Sequence, residues 1–116
     1  MASRFLAKPE WHFYFERIAG ALEGKRAQVE VTGLRLGDQI EAKWVPLLGI
    51  TYDQKNDLVE IALEGLDHLV RKPNSIAVDE GPDGLNGLEI VDADQYRQIV
   101  TLASPLRLPA PDVERS

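Results

Sequence analysis

The change of pattern that decides the fold lies in residues 9–33, PEWHFYFERIAGALEGKRAQVEVTG. In its first half, large apolar residues recur at the spacing of one helical face: Trp11, Phe15, Ile18 and Leu22. Pro9 suits the first turn of this helix and Gly24 suits its end. From residue 27 onward, apolar and polar residues alternate, which is typical of a half-buried strand. The sequence therefore predicts a helix over residues 9–24 that lies across a sheet.

The strand pattern continues through residues 37–63. The apolar members of the next predicted strand are Ile40, Ala42 and Trp44. This strand should end near Pro46, where the proline indicates a kink or an edge. Residues 48–52 and 58–63 flank a polar loop and predict a hairpin. In its second strand, the residues expected to face the core are Val59, Ile61 and Leu63.

The middle of the chain has a less regular pattern. Residues 65–72 are mixed, and they predict at most one turn of helix, which Pro73 would end. Ile76 and Val78 predict a brief strand after that proline.

The last third predicts a loop, a hairpin and a tail. Residues 81–87, GPDGLNG, hold three glycines and one proline and predict a loop. Such a loop is the place where we expect a ligand contact, if the chain makes one. Residues 88–91 and 96–102 predict a second hairpin around a polar turn. Beyond it, prolines and charges without periodicity predict a flexible tail.

The order of these elements, a helix first and strands afterwards, indicates an α+β fold. The expected architecture is an N-terminal amphipathic helix packed on a mostly antiparallel, curved β-sheet built as a meander of hairpins. A small β-barrel with a helical plug is the alternative. The predicted single domain spans residues 9–102, with an N-terminal extension at 1–8 and a flexible C-terminal tail at 103–116.

Composition narrows the classes of function. The chain has 116 residues and no cysteine, so a thiolate metal site, a disulfide framework and a cysteine nucleophile are excluded. The sequence shows neither a secretory signal nor an apolar run long enough for a membrane span, which predicts a cytoplasmic protein without membrane contact. No motif in it predicts a cofactor or a metal ion.

The charge is unevenly distributed. The net charge is −6, and residues 1–26 carry five basic and three acidic residues, so the remainder carries −8. Residues 74–96 contain six acidic residues and no lysine or arginine. Such a surface repels a phosphate backbone, so nucleic-acid binding is not expected. It instead suits either solubility or docking on a basic partner.

The polar residues that deserve a functional interpretation are few. Asp67 stands beside His68, one of two histidines, and Asp79 and Glu80 precede the predicted loop at 81–87. These four residues are the candidate ligand-binding groups. Adjacent residues on a strand or helix point in different directions, so the neighbouring positions of Asp67 and His68 do not by themselves make an acid/base pair. The other acidic residues occupy hairpin ends, where they are expected to bond nearby backbone. No catalytic residue is predicted.

The helix carries more aromatic residues than one face can bury. If Trp11 and Phe15 point inward, Phe13 and Tyr14 lie either on a second buried face or in an exposed association patch. An interaction or accessory protein without enzymatic activity, in its simplest form a homodimer, is the leading hypothesis. A homodimer would use this patch or an edge strand. A small-molecule or metal-dependent enzyme near His68 and the loop at 81–87 is the alternative.

Five segments also resemble a known family. They are residues 37–42 (GDQIEA), 44–53 (WVPLLGITYD), 61–69 (IALEGLDHL), 78–81 (VDEG) and 88–94 (LEIVDAD). Together they resemble a family of small bacterial proteins, domain of unknown function 5335, over about residues 9–102. The resemblance implies a bacterial, cytoplasmic, single-domain protein. It implies no activity, cofactor or catalytic residue.

Overall fold

The computed structural model describes residues 2–22, 24–33 and 37–108. It contains one α-helix, α1 (Trp11–Leu22), which follows a short 3-10 turn at Lys8–Glu10. The strands are β1 (Ala2–Phe5), β2 (Arg26–Gly33), β3 (Gly37–Asp53), β4 (Leu58–Leu63), β5 (Leu66–Arg71), β6 (Pro73–Gly81), β7 (Gly84–Asp92) and β8 (Arg97–Leu106).

The eight strands form one curved antiparallel sheet in the order β1-β6-β7-β8-β2-β3-β4-β5. The predicted α+β class and the antiparallel sheet are confirmed. The barrel alternative is wrong, because β1 and β5 end the strand order and do not pair with each other in the described part of the chain. The sheet therefore has two open edges.

One hydrophobic cluster joins the helix to the strands. The four predicted helix residues, from Trp11 to Leu22, are all buried in the same cluster as residues of β2, β3, β4 and β6 to β8. The three predicted residues of β4 are buried in it as well. Gly24 follows α1 at a φ of 87°, a conformation that glycine adopts without strain.

Irregular pairing of β3 overturns the prediction for its side chains. Its register shifts twice against β2 and once against β4. An extra residue in one strand moves the alternation of faces by one position. Ile40 is therefore 52% exposed and Trp44 is also exposed, although Ala42 is buried as expected. Pro46 does not end the strand, which instead exchanges β2 for β4 as its partner at this point.

Two segments predicted without strands are part of the sheet. Residues 66–71 form β5 rather than a turn of helix, because Gly65, with a φ of 83°, permits a two-residue turn that returns the chain onto β4. The predicted loop at 81–87 is reduced to a turn at Pro82 and Asp83 between β6 and β7. A long flexible loop next to the candidate residues is therefore absent from the described structure.

Both predicted ends of the domain differ from the structure. β1 lies within the predicted N-terminal extension and pairs with β6. β8 continues to Leu106, a buried residue inside the predicted tail. Residues 109–116 of that tail lie outside the described residues. No helix in the described part of the chain is long and apolar enough to span a bilayer.

Candidate functional site

Asp67 and His68 lie on opposite faces of β5. His68 is paired with the buried Ile61, and its Nε2 lies 3.0 Å from Oε1 of Gln98 on β8. The side-chain amide of Gln98 donates to the carbonyl oxygen of Tyr96 at 3.0 Å, so its oxygen faces His68 and the histidine Nε2 is the donor. Asp67 is exposed. The two residues therefore do not form an acid/base pair, and His68 instead links β5 to β8, a strand that is not its neighbour in the sheet.

Glu80 is engaged by two side chains. The Tyr14 hydroxyl donates to its Oε2 at 2.6 Å, and Arg4 Nε donates to its Oε1 at 3.0 Å. Burial alone would raise the pKa of Glu80, but the hydrogen bonds from Tyr14 and Arg4 outweigh it and leave this pKa lowered. Burial and the bond to Glu80 raise the pKa of Tyr14. This cluster holds α1 against β1 and β6, which is a structural role.

The two helix aromatics proposed for an association patch have different positions. Tyr14 is 4% exposed, so it adopts the buried alternative. Phe13 is 65% exposed, so it lies on the surface, which is the other predicted position. An isolated exposed aromatic residue is common on protein surfaces. The patch predicted from both residues is therefore reduced to one side chain.

We expect Glu80→Gln to lower the free energy of unfolding by about 1–2 kcal/mol at pH 7, because the neutral amide has only one acceptor oxygen for the two donors, Tyr14 and Arg4, and no longer carries the charge that faces Arg4. The folded-state pKa of Glu80 lies below its ordinary value, so its contribution is present at neutral pH and is lost as the pH falls through the folded-state pKa. Urea unfolding at several pH values should show both proteins converging in acid. The exposed Glu41→Gln serves as control, and a constant difference at all pH values would contradict the assignment.

Asp79 points away from Glu80 toward a cavity on the other side of β6. The cavity has a volume of about 250 Å³ and is open to solvent. Its polar lining residues are Ser3, Asp79, Asn86, Glu89 and Thr101. Oδ1 of Asp79 is buried and has no hydrogen-bond partner among the described residues. Asp79 is the only one of the four candidate residues that lines this cavity.

Sequence reasoning missed Ser3 and Asn86. Asn86 occupies an irregular position of β7, where the register against β6 shifts between Asp79 and Glu80. Such a bulge turns a side chain toward a new direction. The glycine-rich composition of residues 81–87 signals an irregular backbone there, although by itself it predicts a loop rather than a bulge. Glu89, a third lining residue, forms an ion pair with Arg97 at 3.4 Å.

The acidic residues at the hairpin ends accept hydrogen bonds from the backbone of the turns, as predicted. Asp53 Oδ1 accepts hydrogen bonds from the backbone of Lys55 at 3.0 Å and of Asn56 at 3.3 Å. Asp92 Oδ1 accepts in the same way from Asp94 at 2.9 Å and Tyr96 at 3.0 Å. Across residues 2–22, 24–33 and 37–108, no three acidic or histidine side chains are grouped as a metal site would require.

The open edge formed by β5 is a third feature with functional potential. β5 pairs with β4 over all six of its residues without a register shift. Two leucines of this strand are accessible, with Leu66 38% and Leu69 41% exposed. The described residues place no strand on the other side of β5. A regular strand with an unpaired side and apolar side chains is a template for another strand.

Comparison with known proteins agrees with the family resemblance. The model of a family of unknown function, DUF5335, matches residues 2–111. An uncharacterised protein of Aquifex aeolicus (strain VF5) is 36% identical over 110 residues, which cover 94% of this chain and 99% of that protein. This relative is of almost the same length. No solved structure matches. The chain belongs to the DUF5335 family.

Proposed function

We propose that this protein is a non-enzymatic interaction or accessory protein and that it acts through protein–protein contacts at the open edge of β5. The observation that carries this proposal is the unpaired side of β5 together with its exposed Leu66 and Leu69. Strand addition to such an edge supplies backbone hydrogen bonds, and the exposed side chains supply specificity. The exposed Phe13 is a weaker candidate, because one side chain offers little contact area.

The other strands with unpaired backbone groups, β1 and part of β3, are less suited to pairing with a partner strand. β1 has only four residues, and the free part of β3 is interrupted by its register shifts. Short edge strands and bulges are the features by which proteins prevent pairing. β5 has neither a bulge nor a proline, so it lacks this protection. The contrast within one sheet favours β5 as the contact surface.

The alternative, a small-molecule or metal-dependent enzyme, has one observation in its favour. This is the cavity beside Asp79 with its unpartnered carboxylate oxygen. The alternative is weakened because His68 bonds Gln98 and Glu80 bonds Tyr14 and Arg4, so the candidate groups do not converge. A ligand screen by NMR would support it if binding perturbed Asp79 and was lost in Asp79→Asn.

The proposal is tested by placing a charge on the edge strand. We expect Leu69→Lys to weaken protein association by about tenfold or more, because lysine on an edge strand opposes pairing and the apolar contact is lost. Leu48→Lys is the matched control, since Leu48 is also an exposed leucine, 60% accessible, but lies on β3. The measurements are sedimentation velocity of the purified chain and quantitative co-purification from the native host. Equal association of both variants would reject β5 as the surface.

A further inference from the structure

We propose that the partner of β5 is a second copy of this chain, whose β5 pairs antiparallel with the first around a two-fold axis at Leu69. This inference rests on the proposed function, since it identifies the partner and the register at the same edge. It follows from two independent properties of the strand. They are the direction of its backbone groups and the order of its charges.

The backbone of β5 offers alternate residues to a partner. The Lys72 N–H bonds the Asp57 carbonyl oxygen at 2.9 Å, and the register with β4 continues without a shift to the pair Leu63 and Leu66. In an antiparallel ladder, the hydrogen-bonding groups of successive residues point to opposite sides. The residues bonded to β4 are therefore Leu66, His68 and Val70. The residues directing their N–H and C=O groups to the open side are Asp67, Leu69 and Arg71.

The hydrogen-bond pattern limits how two copies can pair. A residue with outward-directed groups must face another such residue, so only registers that keep this match are possible. When Leu69 of one copy lies opposite Leu69 of the other, Asp67 of each copy faces Arg71 of the other. All three residues with outward-directed groups then form hydrogen bonds across the contact. Shifting the register by one step in either direction places Asp67 or Arg71 opposite leucine. One register thus combines complete hydrogen bonding with charge complementarity.

The side chains on this row are available for contact. Asp67, Leu69 and Arg71 are all exposed and lie on the face of β5 opposite His68 and Val70. Pairing would therefore place two leucines between two Asp–Arg pairs on one face of a continuous sheet. Opposite charges and apolar residues directly across antiparallel strands stabilise the pairing. The contact is isologous, as a closed two-fold dimer requires.

The order of charges permits a complementation experiment with the full chain. In Asp67→Arg both charged positions are basic, and in Arg71→Asp both are acidic, so each variant alone places like charges opposite each other. We expect each single variant to dissociate about tenfold more readily than the unchanged protein. Mixing the two variants in equal amounts should restore the dimer, because every acidic position then faces a basic one. The double variant D67R/R71D should also dimerise.

Sedimentation velocity over a concentration series measures these equilibria, and far-UV circular dichroism verifies that each variant is folded. Asp38→Arg, an exposed charge change on β3, is the control and should leave dimerisation unchanged. A monomeric unchanged protein, or single variants that dimerise normally and show no gain on mixing, would overturn the self-pairing. A different result rejects the proposed function itself: equal association of Leu69→Lys and Leu48→Lys with every partner.

Discussion

Replacing Trp11 by alanine is expected to lower the free energy of unfolding by about 3–5 kcal/mol, the usual cost of removing a buried tryptophan. Trp11 is buried at the start of α1 and contacts the Tyr52 ring edge to face, with 5.1 Å between ring centroids. Its indole N–H also donates to the Leu6 carbonyl oxygen at 3.1 Å. A loss of this size is a large part of the roughly 5–15 kcal/mol that stabilises a typical domain.

Two further variants separate the parts of this effect in urea unfolding. Trp11→Phe keeps most of the ring volume but removes the N–H, so we expect a smaller loss of about 1–3 kcal/mol from the unpaired Leu6 carbonyl. Phe13→Ala removes an aromatic ring from the exposed side of the same helix and should change the stability by less than about 0.5 kcal/mol. If Phe13→Ala were as destabilising as Trp11→Ala, the assigned orientation of the helix would be wrong.

Gly84→Ala is expected to destabilise the fold by about 2–5 kcal/mol, through backbone strain together with overpacking. Gly84 has a φ of 120°, a region that other residues rarely adopt. A methyl group there would meet the carbonyl oxygen of Leu106, a backbone atom that cannot rotate away. Leu106 belongs to the end of β8, so the substitution also separates β8 from the turn between β6 and β7.

The matched control for this prediction is Gly24→Ala. Gly24 also has a positive φ, 87°, but no atom lies within 4 Å of the position of an added methyl group. We therefore expect only the conformational cost, about 1–2 kcal/mol. Thermal unfolding of the two variants measures the difference. Equal losses would show that the approach of β8 to Gly84 does not contribute to stability.

The elements predicted most accurately from sequence are those whose pattern is local. The four inward helix residues, Trp11, Phe15, Ile18 and Leu22, and the core residues of β4 follow strict periods, and all of them are buried. The errors in the sheet have a common cause. Bulges in β3 and a two-residue turn before β5 depend on the neighbouring strand, which periodicity within one segment does not report.

The same distinction applies to the candidate site. The sequence indicates four candidate residues by their chemistry and their closeness in the chain: Asp67, His68, Asp79 and Glu80. The structure instead distributes them over the faces of β5 and β6, because neighbours on a strand point in opposite directions. Glu80 meets Tyr14, which is 66 residues away in the chain, and His68 meets Gln98, which is 30 residues away. Neither contact has a local signal in the sequence.

The sequence pattern within short segments therefore determined the α+β class, the helix, the alternating strands and the acidic residues that close turns. These features depend on periodicity and turn preferences within a few residues. Only the tertiary structure decided that β5 is an edge strand, that its outward row is Asp67, Leu69 and Arg71, and that Asp79 faces a cavity. The physical reason is that hydrogen-bond partners in a sheet come from distant segments, so strand order and register fix which backbone groups remain open.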